Sequence, residues 1–202
     1  MTVVSSNVKA GILVLPGGRP KSEAPSRAWQ LANVRIEWLA RSLQRRVGAD
    51  VDVRRVQYRH RGWNPGSLDA LRDGRAALDD LLARVGDGPV VLVGHSMGGR
   101  VAAHLAAERR VAAVAALAPW WPTGDADLIP RTCRLLVMHG TADTWTDPAA
   151  SRAQTMRATA RGLDARWVGF EGAGHFLVKD FARWHRLTAE FAIAQWAERS
   201  RA

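Results

Sequence analysis

The sequence has a single cysteine, Cys133, so no disulfide can close within the chain and no multi-cysteine metal site can be built. Long apolar runs are missing as well. The longest, residues 111–118, is far short of the roughly 20 residues that cross a bilayer, and no transmembrane segment is expected. Residues 11–15 are too few for the core of a secretion signal and follow no basic region, which makes a cytoplasmic, reducing setting the expectation. Lysine is scarce: 26 of the 29 basic residues are arginine. No pair or triad of histidines and carboxylates has metal-ligand spacing, so neither a metal nor another cofactor is expected.

What remains is an ordinary globular composition. A chain of 202 residues, 47% hydrophobic and 24% charged, can bury a sizeable core and reads as one domain over residues 1–202. The net charge of +10 would suit a polyanion, but the arginines are spread along the chain and accompany no recognition motif. Nucleic acid is therefore not an expected partner. The densest basic cluster, Arg54, Arg55, Arg59, His60 and Arg61 with Tyr58 and Trp63 between them, reads as a solvated face that follows the second strand.

Apolar, β-branched runs at residues 10–15, 51–56, 89–94, 111–118 and 134–139, with a more polar sixth at 165–170, alternate with stretches of helical period. That alternation predicts an α/β fold, a doubly wound and mainly parallel sheet of about six strands with helices on both faces. Helices are predicted over residues 28–47 and 67–85, from just after Ser96 to about Arg110, over 148–161, and from Asp180 onward, the last with Phe181, Trp184, Thr188 and Phe191 on one face.

The most informative stretch is a buried strand that runs straight into Gly94-His95-Ser96-Met97-Gly98 and then into a helix. Serine on a sharp strand-to-helix turn has an exposed hydroxyl, and the helix aims unpaired N–H groups at any oxyanion beside it. The competing reading is a glycine-rich turn whose serine only caps the helix. A serine nucleophile needs a base, and the base needs an orienting acid. Asp143 falls in the loop after the fifth strand and His175 in the loop after the sixth, both on the sheet edge that carries Ser96. Asp147 is the rival acid, but it precedes Pro148 and suits a helix cap. His95 reads as packed beneath the turn and His139 as a structural hydrogen-bonder. The tryptophans Trp120, Trp121 and Trp145 stand on the same edge and are candidates, with Arg19, for lining a substrate pocket.

The order Ser96, Asp143, His175, with the Gly-His-Ser-Met-Gly-Gly, His-Gly-x-x-Asp and Gly-x-Gly-His segments, resembles the α/β-hydrolase superfamily over nearly the whole chain. Within it the chain is similar to small lid-less esterases and dienelactone-hydrolase-like proteins, although a serine stands where dienelactone hydrolases carry cysteine. The resemblance implies a nucleophilic Ser96, a base His175 and an orienting Asp143, working through an acyl-enzyme. It also implies a strand order 2-1-3-4-5-6. The loop Leu15-Pro16-Gly17-Gly18-Arg19 stands where the family has its oxyanion loop, giving backbone N–H donors at Met97 and Gly18, with Arg19 the next candidate. Only fifteen residues, 119–133, separate the fourth and fifth strands, too few for a cap domain. A small ester or thioester is the expected substrate of a monomer or homodimer with no membrane partner. A non-turnover binding protein on this fold, a perhydrolase and a C–C bond hydrolase stay open, because they would use the same residues.

Overall fold

The protein was analysed as a computed structural model that describes residues 8–122 and 124–197. Strands β1 (Ala10–Leu15), β2 (Val51–Arg55), β3 (Val90–His95), β4 (Val111–Leu117), β5 (Arg134–Gly140) and β6 (Asp164–Phe170) form one sheet in the order β2-β1-β3-β4-β5-β6. Every neighbouring pair is parallel, so the sheet is wholly rather than mainly parallel. Parallel strands covered on both faces need continuous apolar runs, and every residue of β1 and β3 is buried. β6, at the edge, alternates exposed and half-buried positions, which accounts for its more polar sequence.

Four helices connect strands, α1 (Leu31–Val47), α2 (Asp69–Val85), α3 (Met97–Leu105) and α4 (Pro148–Ala160), and α5 (Phe181–Ala197) follows β6. Ile36, Leu39 and Leu43 of α1 join Trp184, Ala189 and Ala192 of α5 in one core, against Ile12, Val14, Val91 and Val93 of the sheet. Leu78 and Leu81 of α2, Val101 of α3 and Ala158 of α4 fill the other core with Leu13, Leu15 and Leu92. Each of the buried leucines, isoleucines and valines stabilises the fold by roughly 1.5–3 kcal/mol through burial alone.

The helices differ from expectation in places. α1 begins at Leu31 rather than residue 28, because residues 28–30 form a turn ahead of it. α3 ends at Leu105 rather than near Arg110, since the Ala106 N–H turns back to Ala103 and the chain must reverse into β4. On α5, Trp184 and Thr188 are buried as expected, but Phe181 is 38% exposed and Phe191 only half-buried.

The strand order reverses at β1, whose neighbours β2 and β3 lead away in opposite directions. The carboxyl ends of β1 and β3 therefore border a crevice, the usual ligand position in an open parallel sheet. Between β4 and β5 the chain makes only a 3-10 turn, Asp125–Leu128, with no cap domain over the crevice. That turn is pinned to α3 by Asp125, buried and accepting from Arg100 Nε at 2.8 Å, with His104 Nε2 at 3.3 Å.

Candidate active site

Ser96 joins β3 to α3 with φ 54° and ψ −117°, a conformation that costs a non-glycine residue on the order of 1–3 kcal/mol. Its amide donates to the Leu117 carbonyl and its carbonyl accepts from Gly99 and Trp120, so three backbone bonds of 2.9–3.0 Å hold the turn. Side chains are excluded here by backbone: a Cβ at Gly98 would strike the Leu15 carbonyl, and one at Gly94 the Gly98 carbonyl. The Ser96 hydroxyl makes no capping bond to α3, so helix capping does not explain the serine.

The loop after β5 carries Asp143, buried at 9% exposure and surrounded by donors. Its Oδ1 accepts from the amides of Trp145 and Thr146 at 2.8 and 3.0 Å. Its Oδ2 accepts from His175 Nδ1 at 2.8 Å, His139 Nε2 at 3.0 Å and Thr146 Oγ1 at 2.8 Å. Burial alone would raise this carboxyl, but the Thr146 and Trp145 amides and the His175 ring outweigh it and bring the pKa down to about 2. Asp147 instead caps α4, accepting from Ala149 and Ala150.

With Nδ1–H committed to Asp143, His175 presents Nε2 as an acceptor. The loop that carries it is tied to the serine turn, because His95 Nε2 donates to the His175 carbonyl at 3.0 Å and the two rings lie 4.9 Å apart. Burial, then the nearby His175, pushes the His95 pKa down to about 3, so His95 is a neutral brace. No hydrogen bond joins Ser96 Oγ to His175 Nε2 among the described residues; contacts of this kind commonly tighten only when substrate fills the site.

The loop after β1 closes the crevice. A Cβ on Gly17 would sit 3.3 Å from Ser96 Cβ, and one on Gly18 would overlap the Met97 side chain and the Arg61 carbonyl. Among the described residues neither glycine N–H is paired, and Met97 starts α3 with no carbonyl four residues back to receive its N–H. Arg19 drops out as a donor because its N–H is committed to the Arg61 carbonyl at 2.8 Å; its side chain is exposed. The basic segment is a solvated face only in part, with Arg54 and Arg59 exposed. Tyr58 and Trp63 are buried, while Arg54 meets Asp52 at 2.7 Å, Arg55 meets Glu37 at 2.9 Å, Arg59 meets Asp73 at 2.6 Å and His60 lies 3.6 Å from Asp69.

The three tryptophans play different parts. Trp145, 72% exposed, stacks on His175 with planes 10° apart and ring centres 5.6 Å apart. Trp121 is buried and donates to the Gly99 carbonyl, and Trp120 lies half-buried under Arg100. Together they line a cavity of about 280 Å³ beside Thr146. Thr146, whose Oγ1 lies 3.2 Å from both His139 and His175, was missed in the sequence. Its signal was its place three residues after an acid in a loop, where an Asp side chain accepts local amides.

The chain as a whole is similar to known proteins. The sequence model described as the alpha/beta hydrolase family fits residues 12–132. The chain belongs to the alpha/beta hydrolase family. A relative, lipase LipV of Mycobacterium tuberculosis, is 32% identical over 140 residues, which is 68% of this chain and 51% of LipV. The chain thus spans about half the length of that relative. Among solved structures, XC6422 of Xanthomonas campestris, described as an a/b serine hydrolase without lid, superposes with a TM-score of 0.69 at 20% identity, over 93% of this chain and 82% of that one. Est1E of Butyrivibrio proteoclasticus, solved with ferulic acid, gives 0.68 at 15% identity over 95% and 91%. An alpha/beta serine hydrolase homologue from Coxiella burnetii gives 0.67 at 19% over 90% and 84%. These likenesses establish the lid-less alpha/beta hydrolase fold.

Proposed function

We propose that the protein is a serine hydrolase that cleaves a small carboxylic ester or thioester through an acyl-enzyme. Ser96 Oγ attacks the carbonyl carbon while His175 Nε2 takes its proton; the N–H groups of Met97 and Gly18 receive the oxyanion. The tetrahedral intermediate collapses as the imidazolium gives its proton to the leaving group. Water, activated by the same Nε2, then releases the acid and restores Ser96. Asp143 remains ionised throughout, fixes the ring with Nε2 toward the reacting oxygen, and stabilises the imidazolium. No cofactor or metal enters these steps.

The observation that carries the reading is the 2.8 Å bond from His175 Nδ1 to a carboxylate held near pKa 2, in a loop tied to the strained Ser96 turn. An ester is favoured over other bonds by the lipase name of the mycobacterial relative, and the tryptophan-lined cavity suits a flat or short apolar acyl group. The test is hydrolysis of p-nitrophenyl acetate and butyrate. Wild type should turn over, and Ser96→Ala and His175→Ala should each lose on the order of 10⁴-fold or more in kcat. Wild-type rates in either variant would remove the mechanism. The unformed Ser96–His175 bond favours one alternative, a non-turnover binding protein, which would show saturable ligand binding and no burst of product.

A further inference from the structure

α1 and α5 lie side by side on one face of the sheet and leave between them a groove of about 730 Å³. Its lining includes Trp38, Phe181, Arg41, Arg45, Arg46 and His185, and no carboxylate. Trp38 is 53% exposed and meets Phe181 edge to face at 6.3 Å. Trp29 and Leu31, at the entry to α1, and Val178, just ahead of α5, are each more than two-thirds exposed. Five of the eight exposed large hydrophobic residues of the described chain therefore belong to α1, α5 or the residues leading into them. The face also reaches the site: the Arg35 guanidinium sits 3.9 Å over the Phe176 ring, which packs 5.2 Å from His175 and 5.2 Å from Trp145. A concentration of exposed apolar side chains of this kind marks a surface that meets something.

Charge decides what. A second copy docked symmetrically would bring Arg41, Arg45 and Arg46 against their own equivalents, in a chain of net charge +10. The acids nearby are Glu37, already shared between Arg41 and Arg55, and Asp180 at the start of α5. Among the described residues Arg45 and Arg46 have no carboxylate partner; their bonds go to the Arg41 carbonyl and to Ser42. Tryptophan, phenylalanine and aliphatic side chains beside unpaired guanidiniums match a boundary between anionic headgroups and acyl chains.

We propose that the α1–α5 face docks the protein on an anionic lipid surface. That no helix among the described residues is long and apolar enough to cross a membrane does not oppose this, because docking inserts side chains rather than a spanning segment. Docking does not depend on the role of Ser96; its consequence, that the uncapped site then opens at a surface carrying ester substrates, rests on the function proposed above.

The test uses Ser96→Ala protein, so that turnover plays no part, in co-sedimentation with vesicles at about 0.1 M salt. Vesicles of equal parts phosphatidylglycerol and phosphatidylcholine should bind it at least about tenfold more than phosphatidylcholine alone. The pairs Trp38→Ala with Phe181→Ala, and Arg45→Glu with Arg46→Glu, should each cut binding about tenfold or more. Arg131→Glu with Arg157→Glu, the same charge change at exposed sites elsewhere, should stay within about twofold. The proposal is overturned by no binding to the mixed vesicles, by equal loss in the Arg131/Arg157 pair, or by wild-type binding in the Trp38/Phe181 pair. It is overturned equally by a dimer in sedimentation velocity that the Trp38/Phe181 pair dissolves, since the face would then cover itself.

Discussion

The end of β5 and the loop after β6 each deliver an imidazole to the same oxygen of Asp143, and the two rings differ in what holds their other nitrogen. His139 is wholly buried, and its Nδ1 lies 2.8 Å from Ser151 Oγ, itself contacted by Trp167 Nε1 at 3.1 Å. The Nε2 of His175 has no such partner among the described residues and faces the crevice beneath Trp145. A ring bonded at both nitrogens is fixed as scaffold, whereas a ring bonded at one can accept a proton at the other. The comparison teaches that the acid alone does not make a base; the free second nitrogen does.

Breaking the exposed ring should therefore cost most: the His175→Ala loss of about 10⁴-fold or more stated above sets the upper end. Asp143→Asn should follow, with roughly 10³–10⁴-fold lower kcat, because an amide can no longer accept from both rings and His175 can take the wrong tautomer. Asp147→Asn should leave kcat nearly unchanged, since asparagine caps a helix as well as aspartate; steady-state kinetics on the two asparagine variants separate the rival acids. His139→Gln should cost about 10- to 100-fold in kcat with little change in KM, because it loosens Asp143 without touching the reacting atoms. A loss equal to that of His175→Ala would mean that the two rings are not different in kind.

The sheet was legible because β1, β3 and β4 are continuous apolar runs, the other strands still carry apolar residues at strand spacing, and each strand end carries a turn. Ser96, Asp143 and His175 stood out because their chemistry and their positions after β3, β5 and β6 agreed. The contacts among them were less legible: Thr146 Oγ1 lying against His175, and Gly17 lying against Ser96, depend on loops brought together from different strands. Helix ends were misread where local turns outcompeted the helical period, as at residues 106–110. The α1–α5 face was invisible for a different reason: Phe181 has the spacing of a core residue, and only packing reveals that the helices leave it and Trp38 uncovered.

The smallest effect concerns pH. Burial above all holds His95 at about 3 and His185 at about 4, below the ordinary 6.5. The unfolded chain therefore binds protons at these rings that the folded chain does not, so stability is full above about pH 6.5 and falls as pH drops toward 4. The depressed Asp143 adds a further loss only as pH falls from about 3.8 through about 2. Urea unfolding at stepped pH should show the decline, and His185→Leu should flatten its upper part. A stability that rose between pH 6.5 and 4 would contradict the neutral, buried state of these rings.

The central claim is that Ser96 is an activated nucleophile. Intact-mass measurement after incubation with a fluorophosphonate tests it most directly. The account predicts one adduct on wild type, none on Ser96→Ala, and strongly slowed labelling of His175→Ala. An unlabelled, folded wild-type protein, or an adduct that persists in Ser96→Ala, would contradict it.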